Sequence, residues 1–171
     1  MGIIISESDM QFGEYDEDNI FYIEDSMQYN QKLKPNGVRS CEFILLKENR
    51  LYFVEAKKSC PNQIVAESTS EKKKKYFQYI QEIVEKMRHS LELFANIIMK
   101  RYQQDGVPEQ MKNVKNLEIR LILIVKDAEL GWLDPFRDKF RNELRKDMQI
   151  WKIPEFIILN EEQARKKQFI I

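Results

Sequence analysis

The stretch Cys41–Lys57, CEFILLKENRLYFVEAK, decides how this chain is read. Two apolar runs, CEFILL and LYFVEA, flank the polar KENR, which is the pattern of a β-hairpin. With the turn centred between Glu48 and Asn49, Leu46 faces Leu51, Ile44 faces Phe53 and Glu42 faces Glu55. Opposed residues on one sheet face have Cβ atoms about 5 Å apart. Strand alternation projects Lys57 from the same face as Glu55. The hairpin is thus expected to gather two carboxylates and one ammonium at its open end. Two opposed carboxylates repel, and the apolar neighbours Phe43, Ile44, Phe53 and Val54 worsen the repulsion by desolvation. A divalent cation removes that cost. Mg²⁺ takes oxygen ligands, often one or two carboxylates completed by water and substrate phosphate. Such an ion activates bound water and polarises a phosphoryl oxygen, and a nearby lysine offsets charge developing on phosphate.

Outward from the hairpin, GIIIS near the start and NIFYIED (Asn19–Asp25) read as strands, and KPNG (Lys34–Gly37) as a turn. Beyond CPN, Tyr76, Ile80, Ile83, Met87, Leu91, Phe94 and Ile98 recur at three- and four-residue steps. They predict a long helix from Glu71 to about Gln104, ended by Asp105-Gly106 and Pro108. LEIRLILIV (Leu117–Val125) is expected as a central strand, Pro135–Met148 as an amphipathic helix and EFIIL (Glu155–Leu159) as a strand. A short helix capped by Asn160 closes the pattern. The order β-β-β-β-α-β-α-β implies an α/β fold, a mixed central sheet flanked by helices. The connection through the long helix suits a crossover.

The 171 residues fit a single domain, residues 1–171, with one core. Lys plus Arg and Asp plus Glu number 28 each, so bulk charge does not steer the chain to nucleic acid and any such contact needs a local basic patch. No apolar run reaches the roughly 20 residues of a membrane span, so no membrane partner is expected. The start lacks the basic region of a signal peptide. Cys41 and Cys60 fit neither a disulfide framework nor a zinc pattern, which points to free thiols and a cytoplasmic setting.

Glu42 followed by Glu55-Ala56-Lys57 across a short hairpin resembles the signature of the PD-(D/E)XK nuclease superfamily, and the likeness extends over roughly Asn19–Val125. The resemblance implies a restriction-endonuclease-like core. It also implies Mg²⁺ or Mn²⁺ held by Glu42, Glu55 and the main-chain carbonyl of Ala56, with Lys57 assisting the attacking water. The usual Pro-Asp is Cys41-Glu42 here. The further acid that many members carry on an N-terminal helix has Glu24 or Asp25 as its counterpart, in a region that reads as strand. The implied function is metal-dependent hydrolysis of phosphodiester bonds in DNA, or in RNA, with phage defence or a mobile element as typical settings.

Each of these residues also has a plainer reading. Glu42, Glu55 and Lys57 also fit an ordinary solvent-facing sheet with an ion pair. Lys58, Lys72 and Lys75, with Lys86 and Arg88, fit either a nucleic-acid backbone or a solvated helix face. His89 fits surface or packing better than catalysis. Tyr76, Phe77 and Tyr79 fit the core better than base stacking. The alternative function is a catalytically inactive protein of the same fold, acting as an interaction or regulatory subunit. A homodimer through the long helix or the apolar C-terminus is compatible with both.

Overall fold

The computed structural model describes residues 2–62 and 67–171. The chain opens with an antiparallel hairpin of β1 (Ile3–Glu7) and β2 (Met10–Tyr15), turned by Ser8 and Asp9, both at positive φ. β1 answers to the expected GIIIS strand. β2 has no counterpart in the sequence reading, because Gly13 interrupts its apolar alternation. That glycine has φ +150°, and a Cβ there would lie 2.8 Å from the Ile3 carbonyl oxygen.

The main sheet has five strands in the order β3-β4-β5-β6-β7. β3 is only Ile20–Phe21, which corrects the expected strand over Asn19–Asp25. From Tyr22 the backbone curls into turns, with Asp25 N–H donating to the Tyr22 carbonyl and Ser26 Oγ–H to the Ile23 carbonyl. A π turn (Tyr29–Leu33) and a 3₁₀ turn (Lys34–Asn36) follow, and Gly37 closes KPNG with φ +81°. β4 (Phe43–Lys47) and β5 (Arg50–Ser59) form the expected hairpin, pairing Ile44 with Phe53 and Leu46 with Leu51. Its two-residue turn has Glu48 and Asn49 at φ 52° and 59°, the twist that joins two right-twisted strands.

The long helix α1 spans Ser70–Ile98, with Thr69 capping its N-terminus by accepting from Lys72 N–H. It ends earlier than Asp105-Gly106 because Lys100 turns left-handed and Gln104 Nε2 donates to the carbonyls of Ile97 and Ile98. A single turn, α2 (Glu109–Lys112), leads to β6 (Glu118–Asp127), which runs parallel to β5 as a crossover requires. The expected helix Pro135–Met148 is two helices, α3 (Leu130–Glu143) and α4 (Arg145–Trp151), separated at Leu144. β7 (Phe156–Asn160) adds a second parallel edge, and α5 (Glu161–Lys166) starts in a capping box between Asn160 and Gln163.

Two apolar layers sandwich the sheet. On one face Ile44, Phe53, Leu121, Leu123, Phe156 and Ile158 pack against α1 and α3. On the other, Phe43, Leu45, Val54, Ile122 and Ile124 pack against the β1–β2 hairpin and the C-terminal Phe169 and Ile170. Along β5 the alternation is therefore decisive. Leu51, Phe53, Glu55 and Lys57 face α1, whereas Ala56 and Lys58 face the hairpin. Among the described residues no helix is long and apolar enough to cross a membrane.

Candidate active site

Glu55 sits at the point where the apolar alternation of β5 would place another Phe or Leu. Its side chain is fully buried. Burial pushes its carboxyl upward in pKa, and the ammonium groups of Lys86 and Lys57 pull it back. Glu55 Oε1 lies 2.8 Å from Lys86 Nζ and 3.3 Å from Lys57 Nζ. Glu55 Oε2 is buried and has no protein hydrogen-bond partner. A buried carboxylate with an unused oxygen is costly unless something meets it.

Lys57 lies two residues further along the same face, at the solvent edge. It donates to Glu82 Oε1 of α1 at 2.8 Å. That hydrogen bond holds the Glu82 carboxyl below its ordinary pKa. Arg39, from the segment before β4, approaches Glu82 at 3.9 Å and Glu85 at 3.4 Å.

Glu42 departs from the expected register. The last ladder pair is Phe43 with Val54, and Glu42 N–H also donates to the Val54 carbonyl at 3.0 Å. Glu42 thus lies just beyond the end of β4, with its N–H on the Val54 carbonyl, and is not paired directly opposite Glu55. The two carboxylates still meet one cation: Lys86 Nζ is 2.8 Å from Glu55 Oε1 and 3.5 Å from Glu42 Oε1. Burial, and then repulsion by Glu55, raise the Glu42 pKa.

Of the two acids considered for a third position, Glu24 joins the cluster and Asp25 is exposed. Glu24 is carried there by the turn after β3. Its pKa is raised to about 7, first by burial, then by the hydrogen bond it shares with Glu42 and by repulsion from that carboxylate. The same hydrogen bond lowers Glu42. The shared hydrogen bond thus acts in opposite directions on the two, upward on Glu24 and downward on Glu42.

Lys86, one of several ambiguous lysines in the sequence, and Glu82, which sequence reasoning missed, belong to this cluster. Both flank the apolar stripe of α1, one turn apart, so their helical positions carry the signal that β-strand alternation cannot. Lys58, Lys72 and Lys75 do not join it. Lys58 points to the other face and pairs with Asp9 at 2.6 Å, and Lys75 pairs with Glu71 at 3.0 Å on an exposed turn where Lys72 is also exposed. His89 Nδ1 accepts the Arg39 backbone N–H. Tyr76 and Tyr79 pack on Phe136, while Phe77 is exposed. Both cysteines are free and buried, and burial pushes the Cys60 thiol to about 11, which leaves no thiolate at neutral pH.

Chemically, the cluster presents hard carboxylate oxygens from Glu24, Glu42 and Glu55, with two ammonium groups. Among the described residues no three acidic, thiol or imidazole groups form a metal-holding set. A cation here would rest on Glu42 and Glu55, a two-carboxylate arrangement that Mg²⁺ accepts when water and substrate complete its shell. Comparison with protein-family models, with curated proteins and with solved structures gives no match to this chain.

Proposed function

We propose that the chain is a metal-dependent phosphodiesterase of the PD-(D/E)XK type, a nuclease acting on DNA or RNA through Glu42, Glu55 and Lys57. The observation that carries the reading is the fully buried Glu55, whose Oε2 has no protein partner beside Lys57 and near Glu42. A sheet whose antiparallel pair feeds a long helix and then a parallel strand is compatible with a restriction-endonuclease-like core.

In this reading Glu42 and Glu55 hold Mg²⁺ or Mn²⁺, with the Ala56 carbonyl as an additional oxygen and Glu24 behind Glu42. The ion, when bound, supplies Lewis-acid activation of water and of a phosphoryl oxygen. Lys57, at the solvent edge and steadied by Glu82, keeps its ammonium where charge grows on the scissile phosphate. Glu24, protonated up to about pH 7, fixes the orientation of the Glu42 carboxylate through their shared hydrogen bond.

A second reading, an inactive interaction protein, is favoured by one observation: Lys86 already supplies a positive charge to both acids. Incubation with single- and double-stranded DNA and RNA, with Mn²⁺ or with chelator, separates the two. The nuclease reading expects cleavage that needs the metal and disappears in Glu55→Ala and Lys57→Ala. Folded wild-type protein that leaves every substrate intact would favour the inactive subunit.

A further inference from the structure

Among the described residues, Lys86 makes the shortest ion pair to Glu55, whose side chain is fully buried. Its side chain is 16% exposed, and its ammonium lies 2.8 Å from Glu55 Oε1 and 3.5 Å from Glu42 Oε1. It reaches them from α1, across the gap between helix and sheet. The same two carboxylates are those that a divalent ion would share, and Lys86, unlike Lys57, which pairs with Glu55 but not Glu42, stands against both of them, so an ion taking that shared position meets its ammonium at close range. Glu55 Oε2, buried and without a protein partner, marks a side from which a further cation would approach.

We propose that Lys86 is a displaceable internal counter-cation, which neutralises Glu42 and Glu55 in the metal-free protein and must swing aside for a divalent ion to bind. This inference rests on the reading of Glu42 and Glu55 as metal ligands. The four-carbon stem and compact charge of lysine suit such a role better than a rigid guanidinium fork. Glu82 stands one turn from Lys86 on α1 and pairs with Lys57 at the solvent edge, where an incoming phosphate would offer the released ammonium a new partner. Metal binding and phosphate binding would thereby support each other, because each relieves a charge that the other leaves unpaired.

The equilibrium consequence follows from population arithmetic. If the site is open to metal only in the minor fraction of molecules whose Lys86 has left, the apparent affinity falls by that fraction. Calorimetric titration of Mn²⁺ into wild type and Lys86→Gln measures it. The expected result is binding tighter in Lys86→Gln by about tenfold or more, the factor set by a competent fraction of about a tenth. A second measurement keeps the test alive if the variant fails to fold: amine-selective acylation of wild type, read by mass spectrometry. Lys86 should be protected without metal and labelled faster with Mn²⁺, while Lys58 is unchanged. Equal or weaker Mn²⁺ binding by folded Lys86→Gln, or labelling of Lys86 indifferent to Mn²⁺ that wild type does bind, would overturn the displacement and leave the metal site standing. Binding by Lys86→Gln alone would make Lys86 a fixed block rather than a displaceable one, which overturns the displacement and removes the nuclease reading for the natural chain. Binding by neither protein would overturn both.

Discussion

Glu24 keeps its proton up to about pH 7, against an ordinary value of 4.5. A carboxyl whose folded pKa lies above its unfolded one favours the fold most where it is protonated, below about 4.5, and that contribution fades as pH rises through about 7. Chemical denaturation at pH 5 and pH 8 should therefore find Glu24→Gln losing less stability than wild type over that interval. An identical loss in both would contradict the assignment. Lys57→Ala makes a different demand. Lys57 is partly exposed and its partner Glu82 more so, and such pairs contribute about 1 kcal/mol or less, while buried Glu55, 3.3 Å from Lys57, keeps the closer ammonium of Lys86 at 2.8 Å when Lys57 is removed. The variant should melt within a few degrees of wild type while cleavage is lost; a large drop in thermal stability would make Lys57 structural. Glu55 and Lys57 were legible in the sequence because alternation fixes their face once the hairpin is placed. Glu42 was legible as a residue but not as a geometry, since the point where the β4 ladder ends leaves no compositional trace. Glu24 was named from the sequence together with Asp25, and the turn after β3, which interrupts an Ile- and Tyr-rich run that reads as strand, is what separates the two.

The hairpin β4–β5 and the helix α1 are the elements that assemble the cluster, and each has a weak point of its own. Glu48 occupies a left-handed position in the turn, one that Asn accepts at lower cost. Glu48→Asn should stabilise by about 0.5 kcal/mol, seen as a rise of a degree or two in melting temperature. A fall would mean the turn adopts another conformation. α1 was legible from its three- and four-residue apolar steps, yet its end was not. The helix stops because a side-chain amide, Gln104, reaches back to its last carbonyls, a contact that neither period nor turn residues announce. The separation of α3 from α4 at Leu144 escaped the sequence in the same way, since the apolar residues keep their spacing across it.

At the scale of the molecule, the sheet carries one apolar layer beneath the helices and a second beneath the β1–β2 hairpin and the C-terminal segment. Phe169 joins the second layer to β5: its ring meets Tyr52 edge-on at 5.1 Å, and its carbonyl accepts the Tyr15 hydroxyl. Phe169→Ala should cost about 3 kcal/mol in denaturant unfolding; a cost under about 1 kcal/mol would show that the second layer does not depend on it. That second layer was the least legible part of the fold, because it depends on β2 and on distant C-terminal residues pairing with it, as Ile171 N–H does with the Gln11 carbonyl. The first layer, by contrast, holds the acids against α1, and there the account stands or falls. A crystal of the protein soaked in Mn²⁺ and measured at the manganese absorption edge tests it most directly. The account predicts an anomalous peak between the carboxylates of Glu42 and Glu55, with the Lys86 ammonium moved off both. Full-strength diffraction with no such peak, and Lys86 still seated on Glu55, would contradict it.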